Sequence, residues 1–213
     1  MTDIWTTIAA ERGALADDLA GLTASQWETR SLCTQWSVRD MVAHMSSTAS
    51  MSPAKFFLGM AKAGFNFDKF TDGGVGKHLG SDPAATLNEF RGLQSSTSAP
   101  PGPKISWLGE VVVHGEDVRR PLGMSHTYPP DAVRQVIDFY KGSNLIVGSK
   151  KRIAGLALNA TDDDWQHGQG DTNAALVEGP LLSLLLAMTG RGAACDDLTG
   201  PGAQTLRSRC EKS

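Results

Sequence analysis

Apolar positions recur along most of this chain at three- and four-residue intervals, the spacing of helices that bury one face. Thr2–Leu22 places Ile4, Ile8, Leu15, Leu19 and Leu22 on one stripe, with Glu11, Arg12, Asp17 and Asp18 largely elsewhere. Thr23–Trp36 breaks the pattern. A second helix starts sharply: Ser37 stands at the N-cap with Asp40 at N3, and Trp36 and Met41 occupy the two positions of a hydrophobic staple. Val38, Met41, Val42 and Met45 form its buried stripe, and His44 falls beside it. Ser52-Pro53 opens a helix to about Gly64, because proline is tolerated at the first helical position. Phe65–Ser81, rich in Gly, Asp and Lys, reads as a long loop. Asp82-Pro83 opens another helix with Leu87, Phe90 and Leu93 inward, and Ser95–Pro103 ends it. Lys104–Gly123 carries the stripe Ile105, Leu108, Val111, Val112 and Val118, stopped by Pro121 and Gly123. Pro129-Pro130-Asp131 starts a helix with Val133, Val136, Ile137 and Tyr140 on one face.

The character changes after Gly148. Ile153–Asn159 is strand-like, Thr161–Asp164 is a turn cluster, and Trp165–Gly170 and Ala174–Val177 suggest two further short strands. Gly179-Pro180 then introduces the apolar helix Leu181–Met188. The expected fold is mainly α: a helical bundle over residues 1–148 and a small α+β unit over residues 149–213.

Composition narrows the function. The 213 residues suffice for a real core, and a net charge of −3 leaves no electrostatic footprint for nucleic acid. The apolar segment Leu181–Met188 is far short of the ~20 residues that span a bilayer. The amino-terminal MTDIWTTIAAERG lacks the basic-then-apolar pattern of a signal peptide, so the expectation is a cytoplasmic protein with no membrane partner. Cys33, Cys195 and Cys210 form an odd, widely spaced set that reads as free thiols. Lys150-Lys151-Arg152 reads as a surface cluster.

The chemistry concentrates in Lys104–Gly123. Glu110 and His114 are four residues apart, which stacks their side chains on one helix face with Cβ atoms roughly 6 Å apart. A core-facing carboxylate and imidazole need a partner to offset desolvation. A divalent metal supplies one; a solvent-facing Glu–His pair is the alternative. His44, on the capped helix, is a third donor, and helical bundles build metal sites from inward residues of facing helices. Two imidazoles and one carboxylate leave an open position on a zinc-like ion, the catalytic pattern.

The segments TQWSVRDMVAHM (Thr34–Met45), LGEVVVHGEDVRRPLG (Leu108–Gly123) and VEGPLLSLLLAMTGR (Val177–Arg191) resemble those of the mycothiol-dependent maleylpyruvate isomerase family. The resemblance implies a DinB-like up-and-down four-helix bundle and the metal ligands His44, Glu110 and His114. It also implies a divalent metal, most simply zinc, and mycothiol as cosubstrate. A metal-coordinated thiol loses its proton near neutral pH, and the thiolate is a nucleophile. Such an enzyme isomerises a cis double bond by addition, rotation and elimination, or transfers the thiol to an electrophile; S-transfer is the preferred expectation here. A dianionic substrate calls for cationic groups, with Arg191 as the first candidate and Arg119 or Arg120 as others. The partners expected are a small-molecule substrate and the thiol, in a monomer or homodimer. The alternative function is a non-catalytic metal- or ligand-binding module.

The remaining polar residues have plainer expected roles. Asp117 pairs with Arg119 or Arg120, or else accepts from an imidazole. Cys33 is a small buried hydrophobe, or else reaches the metal or the cofactor sulfur, and His78, His126 and His167 are solvated in loops. The aromatic segment Met51–Phe70 packs in the core or walls a pocket.

Overall fold

The computed structural model describes residues 3–144 and 147–211; Thr2 of the first expected helix lies outside them. The chain folds as two compact units divided between Tyr128 and Pro129. The helix beginning at Pro130 therefore belongs with the second unit, eighteen residues before the composition change at Gly148. Its burial explains the assignment: Val133, Val136, Ile137 and Tyr140 form a buried stripe that packs on the apolar helix of the second unit.

The first unit holds α1 (Ile4–Asp18), α2 (Ala24–Trp27), α3 (Val38–Ala49), α4 (Pro53–Lys62), α5 (Phe67–His78), α6 (Pro83–Gly92) and α7 (Lys104–Arg119). Four of these make the bundle: α1 packs on α7, α7 on α3, α3 on α6, and α6 back on α1. Helix α3 begins where the sequence places it, with the Ser37 hydroxyl accepting from Asp40 N at 3.2 Å and Asp40 accepting from Ser37 N at 2.9 Å. Such a cap contributes about 1 kcal/mol. Helix α6 is capped by Asp82, which accepts from Ala85 N at 2.8 Å, with Pro83 at its first turn. The core is the set of stripes read from sequence: Ile8 and Leu15 from α1, Met41 and Val42 from α3, Phe90 from α6, Leu108 and Val112 from α7.

The stretch Phe65–Ser81 departs from expectation. It forms α5, capped by Asn66 accepting from Lys69 N at 2.8 Å, and packs along α3. Its glycines hid it, because only Val75 is buried and no apolar period of 3.6 marks the segment. Gly74 is needed at that contact: a Cβ there would lie 2.5 Å from the Ser47 hydroxyl.

The second unit contains α8 (Pro130–Tyr140), α9 (Ser149–Arg152), β1 (Leu156–Ala160), β2 (Gln166–His167), β3 (Ala175–Gly179), α10 (Leu181–Met188) and α11 (Ala203–Cys210). The sheet order is β2-β1-β3. Strands β1 and β3 are parallel from Leu156↔Ala175 to Ala160↔Gly179, while β1 and β2 are antiparallel at Leu158↔His167. Helix α10 is buried nearly all round, which its unbroken apolar sequence requires. Arg152 is not the surface residue its basic run suggested. Its guanidinium donates to the carbonyls of Met188 and Val147, each at 2.7 Å, and so closes the end of α10. Among the described residues, no helix is long and apolar enough to cross a membrane.

Candidate metal centre

Burial along α3 and α7 singles out three residues. From Met41 to Ala49, His44 is the one residue that keeps partial exposure; from Leu108 to Arg119, the two that do so are Glu110 and His114. The expected donors thus line a window in an otherwise closed core. The imidazoles of His44 and His114 meet edge to face, with ring centroids 5.1 Å apart and planes at 88°. The Thr48 hydroxyl hydrogen-bonds the Glu110 carboxyl. His44 therefore faces His114 while Thr48, one turn later, faces Glu110, one turn earlier, so α3 and α7 run antiparallel here.

Each donor is prepared differently. His114 Nδ1 lies 2.8 Å from Asp117 Oδ2. A carboxylate can only accept, so Nδ1 carries a proton. Asp117 is fully buried, one turn beyond His114, and its main-chain carbonyl accepts from Leu32 N at 3.0 Å. It orients the imidazole, the second of the two roles its position allowed, from a buried rather than a solvated position. Burial, helped by the neighbouring His114, pushes His44 down to about 3, so its ring is neutral. The Trp36 ring, 4.7 Å from that imidazole, covers it from the loop before α3.

Glu110 is the residue that lacks an internal solution. Burial pushes its carboxyl up to about 8, against the opposing effects of Arg12 and the Thr48 hydrogen bond. The Glu110 side chain is shielded even though the residue as a whole keeps some exposure, and Oε2 is buried with no hydrogen-bond partner. An orphaned carboxylate oxygen costs about 1–3 kcal/mol or more. A cation beside it would remove that cost. The donor chemistry fits a zinc-like ion: a neutral imidazole, a second imidazole with its tautomer set by a buried carboxylate, and a carboxylate oxygen without a partner. Among the described residues no group of three or more His, Cys, Asp or Glu is drawn together closely enough to hold a metal ion. The two imidazoles are in contact; Glu110 stands one helical turn away, on the same window.

The other candidates separate clearly. Arg119 is 1% exposed, and its Nε donates to Asp18 at 2.7 Å while Nη1 donates to the Tyr128 hydroxyl at 2.8 Å. It is a buried structural cation, neither a surface residue nor one available to a substrate. Arg120 pairs with Glu116 at 3.1 Å. Gly115, between the site and this cluster, leaves room for Tyr128, whose hydroxyl would lie 2.7 Å from an added Cβ. Arg191 is in the second unit, where its Nη1 donates to the Thr189 carbonyl at 3.0 Å. Cys33 is half-buried. His78 and His126 are not loop solvent residues: His78 Nδ1 lies 2.6 Å from Glu89, and His126 Nε2 lies 2.7 Å from Glu11. Sequence reasoning missed Thr48 and the cover supplied by Trp36. Thr48 stands at i+4 from His44, a spacing that could have marked it as its neighbour on the face.

Known proteins share this fold. Residues 8–101 match the family described as the mycothiol maleylpyruvate isomerase N-terminal domain. A search among curated proteins returns no match. Among solved structures, the mycothiol-dependent maleylpyruvate isomerase is similar at a TM-score of 0.64 and 15% identity, covering 94% of this chain and 92% of that one. A histidine-to-alanine mutant of that isomerase is similar at 0.63 and 16% identity, with the same coverage. Residues 8–101 thus match the mycothiol maleylpyruvate isomerase N-terminal domain, and the fold of the chain is that of the solved isomerase.

Proposed function

We propose that this protein is a mycothiol-dependent enzyme of the maleylpyruvate isomerase type, acting in the cytoplasm with a divalent metal held by His44, Glu110 and His114. The observation that carries this reading is the pair of facing imidazoles beside a buried carboxylate oxygen without a partner. Bound there, an ion such as zinc would stabilise a coordinating thiol as its thiolate near neutral pH.

The chain's own residues make that position ready. His44 is already neutral, so no proton must leave it. Asp117 holds the His114 proton at Nδ1, turning Nε2 outward as the donor. Trp36 shields the His44 ring from water on one side. In isomerisation the thiolate adds to an activated cis double bond, the new single bond rotates, and the thiolate leaves unchanged. The family and fold support isomerisation over S-transfer as the reading of first choice. Arg191 is the proposed carboxylate-binding residue, since a guanidinium pairs with a carboxylate through two parallel hydrogen bonds.

The test is conversion of maleylpyruvate by zinc-loaded protein with and without mycothiol, followed by the loss of the cis isomer. The expected result is turnover that requires both. Thiol consumption by electrophiles without isomerisation would reassign the chain as an S-transferase. Metal uptake with neither reaction would make it a binding module.

A further inference from the structure

Among the described residues, the large apolar side chains that are strongly exposed are Phe57 at 63%, Leu58 at 58%, Phe65 at 77% and Phe67 at 57%. All four fall in one eleven-residue stretch that spans α4, the following turn and the start of α5. Helix α4 has no buried residue at all. A helix that served only to cover the core would not keep Phe57 and Leu58 in water. At the tip, Phe65 has φ +59, the left-handed region that a phenylalanine adopts only at a cost, and its ring contributes nothing to the core.

The charged groups that line the adjoining cleft have one sign. An open cleft of about 540 Å³ between α4, α5 and the end of α3 is edged by Lys55, Lys62, Lys69 and Lys77, with Leu58 and Phe70 among its apolar walls. Among the described residues, no Asp or Glu lines it. The segment Met51–His78 carries these four lysines against Asp68 and Asp72, in a chain whose net charge is −3. A second copy meeting this face through a two-fold axis would set lysines against lysines. A surface that is both apolar and anionic suits it instead, and that pairing of chemistries is found at the headgroup boundary of an acidic bilayer.

We propose that the α4–α5 hairpin docks on an acidic phospholipid membrane, with Phe57, Leu58, Phe65 and Phe67 entering the headgroup–acyl boundary and the four lysines meeting the phosphates. The expectation of no membrane partner rested on the lack of a spanning segment, which says nothing of a surface contact. The proposal is independent of the metal chemistry.

The test is co-sedimentation of the full chain with vesicles of phosphatidylcholine alone, or of phosphatidylcholine and phosphatidylglycerol in equal parts. The partners of the wild type are a triple variant (Phe57→Ser, Phe65→Ser, Phe67→Ser) and a charge variant (Lys62→Gln, Lys69→Gln), each checked for helical content by circular dichroism. The wild type should bind acidic vesicles, with partitioning about tenfold weaker on neutral vesicles and in each variant, and weaker again in high salt. Failure of the wild type to sediment with acidic vesicles would overturn the proposal. Equal binding to both vesicle types, or undiminished binding by both variants, would do the same. A concentration-dependent dimer that the triple variant abolishes would assign the face to a second copy instead.

Discussion

Two regions of the first unit invert the usual rule in opposite directions. Where α3 faces α7, polar groups occupy a helix interface that should be apolar; on α4 and the turn after it, phenyl and leucyl side chains occupy a surface that should be polar. Each inversion costs free energy, and each is only partly repaired by contacts within the chain. Glu110 Oε2 has no partner, and Phe65 packs on nothing in the core. The Arg119 cluster shows what repair looks like. It is more buried than the metal window, and Asp18 and Tyr128 take two of its donors, leaving Nη2 as its one buried donor without a partner. Polar burial by itself is architecture; polar burial left open to one side is a site.

The comparison can be broken most severely at the imidazoles. His44→Ala or His114→Ala should each lower zinc affinity by at least ~100-fold, beyond what outer-shell changes typically cost, as read by competition against a chromophoric chelator. Equal affinity in either variant would remove that histidine from the site. Next in size is Asp117→Asn, which keeps shape but can place an amide N–H against Nδ1. It should weaken zinc binding about 10–100-fold at unchanged stoichiometry, and an unchanged affinity would reduce Asp117 to a packing role. Gly115→Ala separates architecture from site. The gain in helix propensity, about 1 kcal/mol, is outweighed by a Cβ 2.7 Å from the Tyr128 hydroxyl and 3.0 Å from Arg119 Nη1. A net loss of about 1–2 kcal/mol in denaturant unfolding is expected, with zinc stoichiometry retained. Stabilisation would mean that Tyr128 yields. Smallest of all, Phe57→Ser should change folding stability by no more than ~0.5 kcal/mol, since its ring is exposed. A loss of several kcal/mol would show that α4 packs against something after all.

The bundle was readable because its helices are strongly patterned. Ser37 and Asp40 mark the start of α3 to the residue, and the stripes of α1, α3, α6 and α7 are the observed core. The order of those helices around the bundle was not readable, because an apolar stripe states only that it is buried and never against which neighbour. Helix α5 was missed since its contact with α3 is made through glycines and one valine, which carry no periodic signal. At the site, helical spacing brought Glu110 and His114 to one face, His44 on the capped helix offered a third donor, and the family resemblance implied the same three residues. Spacing could not tell a solvated Asp117 from a buried one, because both stand at i+3 from His114. Arg119 was misread for a similar reason: the end of α7 looked like a surface terminus, but Asp18 and Tyr128 close over it.

The account stands or falls on whether the window between α3 and α7 holds a cation. The direct measurement is the metal content of protein purified under zinc-replete conditions, by mass spectrometry of the metal, for the wild type and the His44→Ala/His114→Ala double variant. The prediction is about one equivalent of zinc in the wild type and none in the double variant. A wild type that retains no metal, or a double variant that retains as much, would contradict it.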